Sequence, residues 1–327
     1  MNSVFIGKKL KLTIFGGSHE PEIGFFLDGL PSTKIEKKII FDDINRRRPS
    51  VNKVGTTKRI EADEPIFISG YNGFKTSGKR IEIRFKNTNV KSTDYKDYYD
   101  HPRPGHADFV SRMKYGDSEM IKGGGIFSGR MTLPMVVVGS LCKQVLNYQF
   151  KSTLDQIGTL TDMSEIDDYL INIEKDGDSV GGIVKVVVKG VPIGVGGPLF
   201  DRLSAKIAQT VLSIPGTKGI EFGAGFNSTN LLGSAFNDVI LDQSGQTKTN
   251  HNGGISGGIS DGNDLIIRVA FRPPSSIRKT QESYSFKTDN LEKLEIKGRH
   301  DVSYLSRVLV VVEAMVALTL LDETLWN

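Results

Sequence analysis

Cysteine and long apolar runs are both scarce in this chain of 327 residues. The single cysteine, Cys142, excludes a disulfide within the chain and favours a reducing, cytoplasmic setting. The longest apolar segment, 304–321, is interrupted by Arg307 and Glu313, which favours a buried helix over a membrane span. No secretory signal is recognisable, because the short apolar stretch 4–6 precedes its lysines instead of following them. We therefore expect no membrane association.

An excess of one sign of charge is also lacking, because 42 lysine and arginine residues stand against 38 aspartate and glutamate residues, a net charge of +4. This balance permits a polyanionic substrate without requiring nucleic acid. The basic run 46–48 suggests nucleic-acid binding as an alternative, but the lack of a basic-aromatic platform argues against it. The length fits one large domain or two ordinary ones. The composition of segment 245–263 alone fits a flexible linker, but a clear strand follows it and no linker is convincing enough to split the chain, so we predict a single domain over 1–327.

Two glycine-rich segments resemble nucleotide-binding loops but fail the tests for them. Segment 73–79 nearly matches a P-loop, yet Arg80 stands where serine or threonine is required, and strand-like residues follow. Segment 190–197 precedes helix-like sequence, but Leu199 occupies a position where a dinucleotide fold requires glycine or alanine. We predict a hairpin loop for the first segment and no dinucleotide site in the second.

Hydrophobic periodicity predicts a mixture of helices and strands. A period of two predicts strands at 8–14, 23–30, 66–70, 81–86, 184–188 and 265–270. Helical patterns are found at 42–48, 133–149 and 201–212, and in a final helix that Asp301 or Ser303 would cap.

The segment 103–132 combines cations, an imidazole and a glycine loop before a helix. Arg103 and His106 flank a Pro-Gly turn. Proline fixes its own backbone angle there, and glycine permits conformations that other residues rarely adopt. A glycine run ending at residue 125 is followed by Ser128, a capping residue, and by Arg130. Helix starts favour anions, and a guanidinium can grip phosphate or carboxylate. The segment indicates a phosphorylated ligand, although each piece alone fits a surface loop equally well.

Six such motifs occur in one order over residues 15–317. Each is weak alone, but the ordered set resembles the chorismate synthase family. The motifs are Gly17-Ser18-His19, Arg46-Arg47-Arg48-Pro49, Arg103-Pro104-Gly105-His106-Ala107-Asp108, the segment 123–130, the loop 253–258, and Gly298-Arg299-His300-Asp301.

The resemblance implies an α+β fold, a β-α-β sandwich in which helices lie between two largely antiparallel sheets. It implies a lyase that eliminates phosphate from 5-enolpyruvylshikimate 3-phosphate in a 1,4-elimination, giving chorismate in the last step of the shikimate pathway. The family requires reduced FMN, undergoes no net redox change, and is usually a homotetramer. We predict no metal site. Whether NADPH reduces the flavin on this chain stays open, although the lack of a dinucleotide motif favours reduced FMN from outside.

The resemblance also assigns residues. His106 would stabilise reduced flavin through a protonated ring, His19 would protonate the departing phosphate, and Asp301 would help pass the substrate proton. The implied substrate-binding residues are Ser18, Arg47, Lys53, Arg103, Arg130 and Arg299. The implied flavin-binding residues are Phe127, Ser128, Gly129, Pro215, Gly216, Gly257, Arg272, Pro273, Pro274, Ser275, Ser276 and Arg299. His101 and His300 receive no role.

Four positions depart from the family pattern. Glu20 stands where glycine is usual, and its carboxylate would either favour the charged form of the preceding imidazole or crowd the phosphate. Ser50 replaces glycine, Lys53 replaces arginine, and Arg272 replaces lysine. Glu20 keeps open a second reading, a diverged non-catalytic homologue that binds flavin or phosphoesters, while retention of the three catalytic candidates argues against it.

Overall fold

The first of two large sheets is formed by the amino-terminal part of the chain. In the computed structural model, which describes residues 2–49, 63–88, 97–116, 124–296, 298 and 300–326, this sheet has the order β1-β2-β3-β5-β4. Every neighbouring pair is antiparallel. The strands are β1 (Ser3–Ile6), β2 (Lys11–Gly16), β3 (Glu22–Asp28), β4 (Ile66–Ser69) and β5 (Ile81–Lys86).

The second sheet has the order β6-β7-β11-β8, again with antiparallel neighbours. Two short hairpins, β9 with β10 and β12 with β13, stand apart from it. The strands are β6 (Gln149–Ile157), β7 (Gly182–Lys189), β8 (Thr217–Phe222), β9 (Ile255–Ser256), β10 (Ile259–Ser260), β11 (Leu265–Phe271), β12 (Gln281–Ser285) and β13 (Asn290–Leu294).

A layer of helices lies between the two sheets. Helix α4 packs against β3 of the first sheet, whereas α8 packs against β6 and β7 and α6 against β8 of the second. This arrangement confirms the expected layers. The helices are α1 (Lys37–Arg47), α2 (Asp97–Asp100), α3 (Asp108–Tyr115), α4 (Thr132–Leu146), α5 (Ile166–Lys175), α6 (Leu203–Leu212), α7 (Gly233–Phe236) and α8 (Leu305–Trp326).

Helices α4 and α8 cross closely at the centre of this layer. A Cβ atom at Gly139 would lie 2.2 Å from the Cβ of Ala314, so a larger residue at 139 would force the helices apart. Cys142 on α4 is buried, as expected for a small core residue. Among the described residues, no helix is long and apolar enough to cross a membrane.

Several predicted boundaries were wrong. Helix α1 begins at Lys37 instead of residue 42. Helix α4 ends at Leu146, because Asn147 adopts a left-handed conformation with φ of 54° and the chain then enters β6. The final helix continues to Trp326. Segment 73–79 does lie in the loop between β4 and β5, as predicted.

A buried ion cluster ties the helix layer to the second sheet. Glu313 on α8 is 1% exposed and accepts hydrogen bonds from Arg46 at 2.7 Å, Lys143 at 3.2 Å and Ser152 at 2.5 Å. Asp43 lies 2.6 Å from the same lysine. Burial alone would raise the pKa of Glu313, but the hydrogen bond from Arg46 and the charge on Lys143 hold it below its usual value. One arginine of the basic run, Arg46, therefore pairs with a buried carboxylate of the helix layer.

Candidate active site

The turn after β2 places His19 beside the glycine loop that precedes α4. Gly16 ends the strand with φ of 86°, a conformation that favours glycine. The backbone N–H of Ser18 donates to the carbonyl of Gly125 at 3.2 Å. The Ser18 hydroxyl and Nδ1 of His19 are hydrogen-bonded at 2.9 Å, which fixes the imidazole. Two of the six motifs are thus in direct contact.

The glycine loop leads into α4 through a capped turn. The Ser128 hydroxyl accepts a hydrogen bond from the backbone N–H of Arg130 at 3.2 Å, which confirms the predicted capping serine. A short 3₁₀ turn, Gly129–Met131, separates this cap from the first residue of α4. The cap holds the Arg130 backbone at the helix start, where an anion would be bound.

Three arginines meet at one buried carboxylate, and we call Arg47, Arg48, Arg130 and Asp63 the arginine cluster. Arg130 donates to Oδ1 of Asp63, and Arg47 donates to Oδ2 at 3.3 Å. Nε of Arg48 lies 4.0 Å from the same Oδ2. Asn87 joins the cluster to the His19 turn, because it accepts from Arg130 at 3.0 Å and donates to the carbonyl of Gly17 at 3.1 Å. Arg47 and Arg130, two of the four arginines predicted to bind substrate, are therefore linked to the His19 turn.

The second group of residues is centred on His106. Nε2 of His106 and the hydroxyl of Ser276 are hydrogen-bonded at 2.9 Å, although the two residues are 170 positions apart. The Ser275 hydroxyl donates to the carbonyl of Gly105 at 2.9 Å and accepts from Arg272. These contacts bring the Arg-Pro-Gly-His motif and the 272–276 run together, as the resemblance implies.

The electrostatics of His106 differ from the protonated state that we expected. Burial lowers its pKa first, and the nearby charge of Arg103 lowers it further. Arg272 and His300 act in the same direction, whereas Asp108 opposes them, and the pKa falls from 6.5 to about 4. These effects favour the neutral form of the ring at neutral pH. His300, which received no role, contributes to this field.

Arg103 is held by its own motif. Its guanidinium donates to both carboxylate oxygens of Asp108, from Nε at 2.7 Å and from the terminal NH2 at 2.8 Å. It also lies over the ring of Tyr98, 4.6 Å from the centroid. The side chain is buried, so its direction is set before any ligand binds.

Gly216 joins the His106 group through Arg272 and Tyr304. The carbonyl of Gly216 accepts from the backbone N–H of Arg272 at 3.0 Å. The Tyr304 hydroxyl donates to the Arg272 carbonyl at 2.6 Å and would lie 2.4 Å from a Cβ atom at Gly216. Glycine is therefore required at 216. Sequence reasoning missed Tyr304, since it belongs to none of the six motifs.

Gly257 lies away from the His106 group. It forms the turn of the β9–β10 hairpin with φ of 64°, and the next carbonyl, that of Gly258, accepts from the N–H of Leu203 at 2.8 Å. That contact is at the start of α6, whereas Gly216 follows its end. A helix of 10 residues spans about 15 Å, so Gly216 and Gly257, two of the three predicted flavin-binding glycines, lie near opposite ends of it.

The remaining predicted residues have separate placements. Asp301 forms an ion pair with Arg307 on α8, and Ser303 rather than Asp301 accepts from the N–H of Leu305, at 3.4 Å. The ring of Phe127 lies 6.4 Å from that of Tyr115 on α3, which links the glycine loop to the helix after His106. Lys53, Arg299 and Ser50 lie outside the described residues.

Comparison with known proteins gives the same family that the sequence motifs resemble. A family model described as chorismate synthase matches residues 10–325. A chorismate synthase of Chitinophaga pinensis is 44% identical over 325 residues, covering 98% of this chain and 96% of that protein. One of Christiangramia forsetii is 40% identical over 347 residues, covering 98% and 97%. A more distant one, of Methanocaldococcus jannaschii, is 34% identical over 359 residues, covering 97% and 94%.

The fold is also found among solved structures. A crystal structure of chorismate synthase superposes with a TM-score of 0.74 at 22% identity, covering 98% of this chain and 93% of that chain. This match confirms the predicted β-α-β sandwich. The family model and the sequence relatives each span nearly the whole chain. This chain belongs to the chorismate synthase family.

Proposed function

We propose that this chain converts 5-enolpyruvylshikimate 3-phosphate into chorismate and inorganic phosphate by a 1,4-elimination that requires reduced FMN. The observation that carries the proposal is the hydrogen bond of 2.9 Å between His106 and Ser276, which assembles the predicted flavin site from segments 170 residues apart. The test is an anaerobic assay of chorismate formation with chemically reduced FMN. The ordered contacts at His19 and His106 support a catalyst over a non-catalytic homologue.

The charges of the two groups suit the proposed substrate. That molecule carries two carboxylates and a phosphate, and FMN adds a second phosphate. Binding so much negative charge in one pocket needs cations whose directions are already fixed. Arg103 is held by Asp108, Arg47 by Thr132 and the carbonyl of Gly129, and Arg130 by Asn87. We assign substrate binding to these three arginines.

The residues present also fit a flavin beside His106. Arg272 and the hydroxyls of Ser275 and Ser276 provide a cation and hydrogen-bonding groups in one strand-to-loop segment. Reduced FMN bound there would supply the reduced flavin that the elimination requires. It would end each turnover in the same oxidation state, so no net redox change occurs. Burial and nearby positive charges lower the pKa of the His106 ring, and a negative charge bound next to it would act in the opposite direction and favour the protonated form.

We assign the acid role to His19, and to Asp301 we assign a role in passing on the proton removed from the substrate. Ser18 holds the His19 ring through Nδ1, so we assign protonation of the departing phosphate to Nε2. Arg307 positions the Asp301 carboxylate at the start of α8, and the adjacent His300 is near enough to act on His106. These observations support a position for Asp301 on the flavin side of the site.

We further propose a cytoplasmic homotetramer that receives reduced FMN from outside. Support for assembly comes from exposed apolar side chains near α6 and in the following loop, since such patches mark interfaces. Phe200 is 92% exposed, Phe226 81%, Leu232 79% and Ile240 71%. Copies of this chain are the partners that would cover them.

Replacing Arg47, Arg103 or Arg130 by alanine is expected to weaken substrate binding by about 1.5–3 kcal/mol, the range for hydrogen bonds to charged groups. Calorimetric titration with 5-enolpyruvylshikimate 3-phosphate measures the change. Arg80→Ala is the matched control, because that arginine pairs with Asp28 at 2.8 Å and its side chain is 59% exposed. Substrate affinity unchanged in all three variants would return these arginines to a purely structural role.

Replacing Glu20 by glycine is expected to move the alkaline limb of the pH–rate profile to lower pH. The backbone of Glu20 is held by Asn87, which donates to its carbonyl at 2.7 Å, and its carboxylate lies within the same turn as His19. Loss of that negative charge makes proton loss from the ring easier. Glu22→Gln is the control, since that carboxylate pairs with Arg84 at 2.6 Å. An unshifted limb with tighter substrate binding would show that Glu20 acts on the phosphate instead.

A further inference from the structure

Asp63 is a buried carboxylate that no motif singled out. The residue is 5% exposed, and its backbone adopts a left-handed φ of 48°, which is uncommon for a residue other than glycine. Its two oxygens accept hydrogen bonds from different guanidiniums. Oδ1 accepts from Arg130, and Oδ2 accepts from Arg47. The third guanidinium, that of Arg48, lies 4.0 Å from Oδ2. Among the described residues, one negative charge is thus shared by three positive charges.

The directions of the two closest guanidiniums depend on more than Asp63. Nε of Arg47 donates to the hydroxyl of Thr132 at 2.8 Å, and its NH2 group donates to the carbonyl of Gly129 at 3.0 Å. Nε of Arg130 donates to Asn87 at 3.0 Å. These contacts remain when the carboxylate is replaced by an amide of the same shape. Asp63 therefore contributes mainly charge, and the other contacts contribute orientation.

The charge of Asp63 acts against any anion bound by the same arginines. A carboxylate beside a cationic site lowers the local positive potential and so weakens the attraction for phosphate. The arginine side chains are mostly buried, 13% exposed for Arg47 and 9% for Arg130, so solvent screens this effect less than at the surface. An arginine cluster without this carboxylate would bind a small anion more tightly.

We propose that Asp63 is an internal counter-ion that limits the affinity of the arginine cluster for inorganic phosphate. The inference rests on the proposed function in one respect, because phosphate is a product that must leave after each turnover. A substrate with three anionic groups gains contacts beyond the cluster, for example at Arg103, whereas free phosphate does not. Asp63 would thus keep the affinity for free phosphate low enough for release, while the substrate stays bound through its further contacts.

The test uses Asp63→Asn in the full chain, titrated calorimetrically with inorganic phosphate at low ionic strength. We expect phosphate to bind the variant about 10-fold more tightly than wild type, which corresponds to about 1.4 kcal/mol. Asp28→Asn is the matched control, because it removes the same charge from a carboxylate that pairs with Arg80 at 2.8 Å on the first sheet. The control and Asp63→Glu, which keeps the charge, are expected to bind phosphate as wild type does.

Thermal unfolding in the presence of phosphate provides a second measurement, which is needed if Asp63→Asn folds poorly. If Asp63 is a counter-ion, phosphate should raise the thermal midpoint of Asp63→Asn more than that of wild type, or should restore its folding. Equal or weaker phosphate binding, no detectable binding in any variant, or a chain that stays unfolded at every phosphate concentration would overturn the inference. Turnover by wild type separates the two proposals, since tighter phosphate binding without any chorismate formation would sink only the proposed function.

Discussion

Replacing His106 by alanine is expected to lower turnover by about 100- to 10,000-fold, the usual contribution of an acid–base or charge-stabilising group. The ring is held against Ser276 at 2.9 Å and lies in the field of Arg103 and Arg272, so alanine removes a titratable group whose position is fixed. The measurement is the initial rate of chorismate formation under anaerobic conditions. Far-ultraviolet circular dichroism and the thermal midpoint check that the fold is intact.

His101→Ala provides the control for a histidine outside the proposed chemistry. Nε2 of His101 is hydrogen-bonded to the carbonyl of Ser283 at 3.1 Å, in the β12–β13 hairpin. Its loss is expected to leave turnover near the wild-type value. Wild-type turnover by a folded His106→Ala variant would remove His106 from the mechanism.

The depressed pKa of His106 also gives a stability signature with a defined sign. Folding favours the neutral ring, because the pKa is about 4 in the folded chain and 6.5 ordinarily. Its contribution to stability is therefore complete above about pH 6.5 and is lost as the pH falls toward about 4. Wild type should lose more stability than His106→Ala over that interval.

Replacing Glu313 by glutamine is expected to destabilise the fold by about 3 kcal/mol, the lower end of the range for breaking a buried ion pair. The variant keeps the shape but removes the charge that faces Arg46 and Lys143. The lower end applies because Asp43 still pairs with both cations, at 3.1 Å and 2.6 Å, and because Arg46 is partly exposed. Denaturant unfolding, monitored by circular dichroism, measures the change.

Glu174→Gln is the matched control for this prediction. Glu174 lies 3.9 Å from Arg278 with 46% of its side chain exposed, and an exposed pair contributes at most about 1 kcal/mol. A loss in Glu313→Gln no larger than in this control would mean that the buried cluster does not stabilise the helix layer.

The sequence predicted the parts of the fold in which one face of a strand or helix is uniformly apolar. Strand β5 alternates buried Ile81, Ile83 and Phe85 with polar residues, so its period of two is visible. Strand β6 was missed, because it is largely polar and a bulge near Leu154 breaks its alternation. The start of α1 was missed because Glu36 makes no side-chain capping bond that would mark it.

The residues of the candidate site could also be predicted only in part. His19, His106 and the arginines stand in short motifs, so the sequence could indicate them as candidates. Asp63, Asn87 and Tyr304 act through contacts with residues far away in sequence, and no local pattern indicates such contacts. The neutral state of His106 also could not be predicted, because burial and charges brought by tertiary structure set its pKa.

The most direct test of the account is the anaerobic incubation of purified wild type with 5-enolpyruvylshikimate 3-phosphate and chemically reduced FMN. We expect chorismate and inorganic phosphate to form in equal amounts, and neither to form when FMN is left oxidised. Substrate and flavin binding without any chorismate would contradict the account and identify the chain as a non-catalytic homologue.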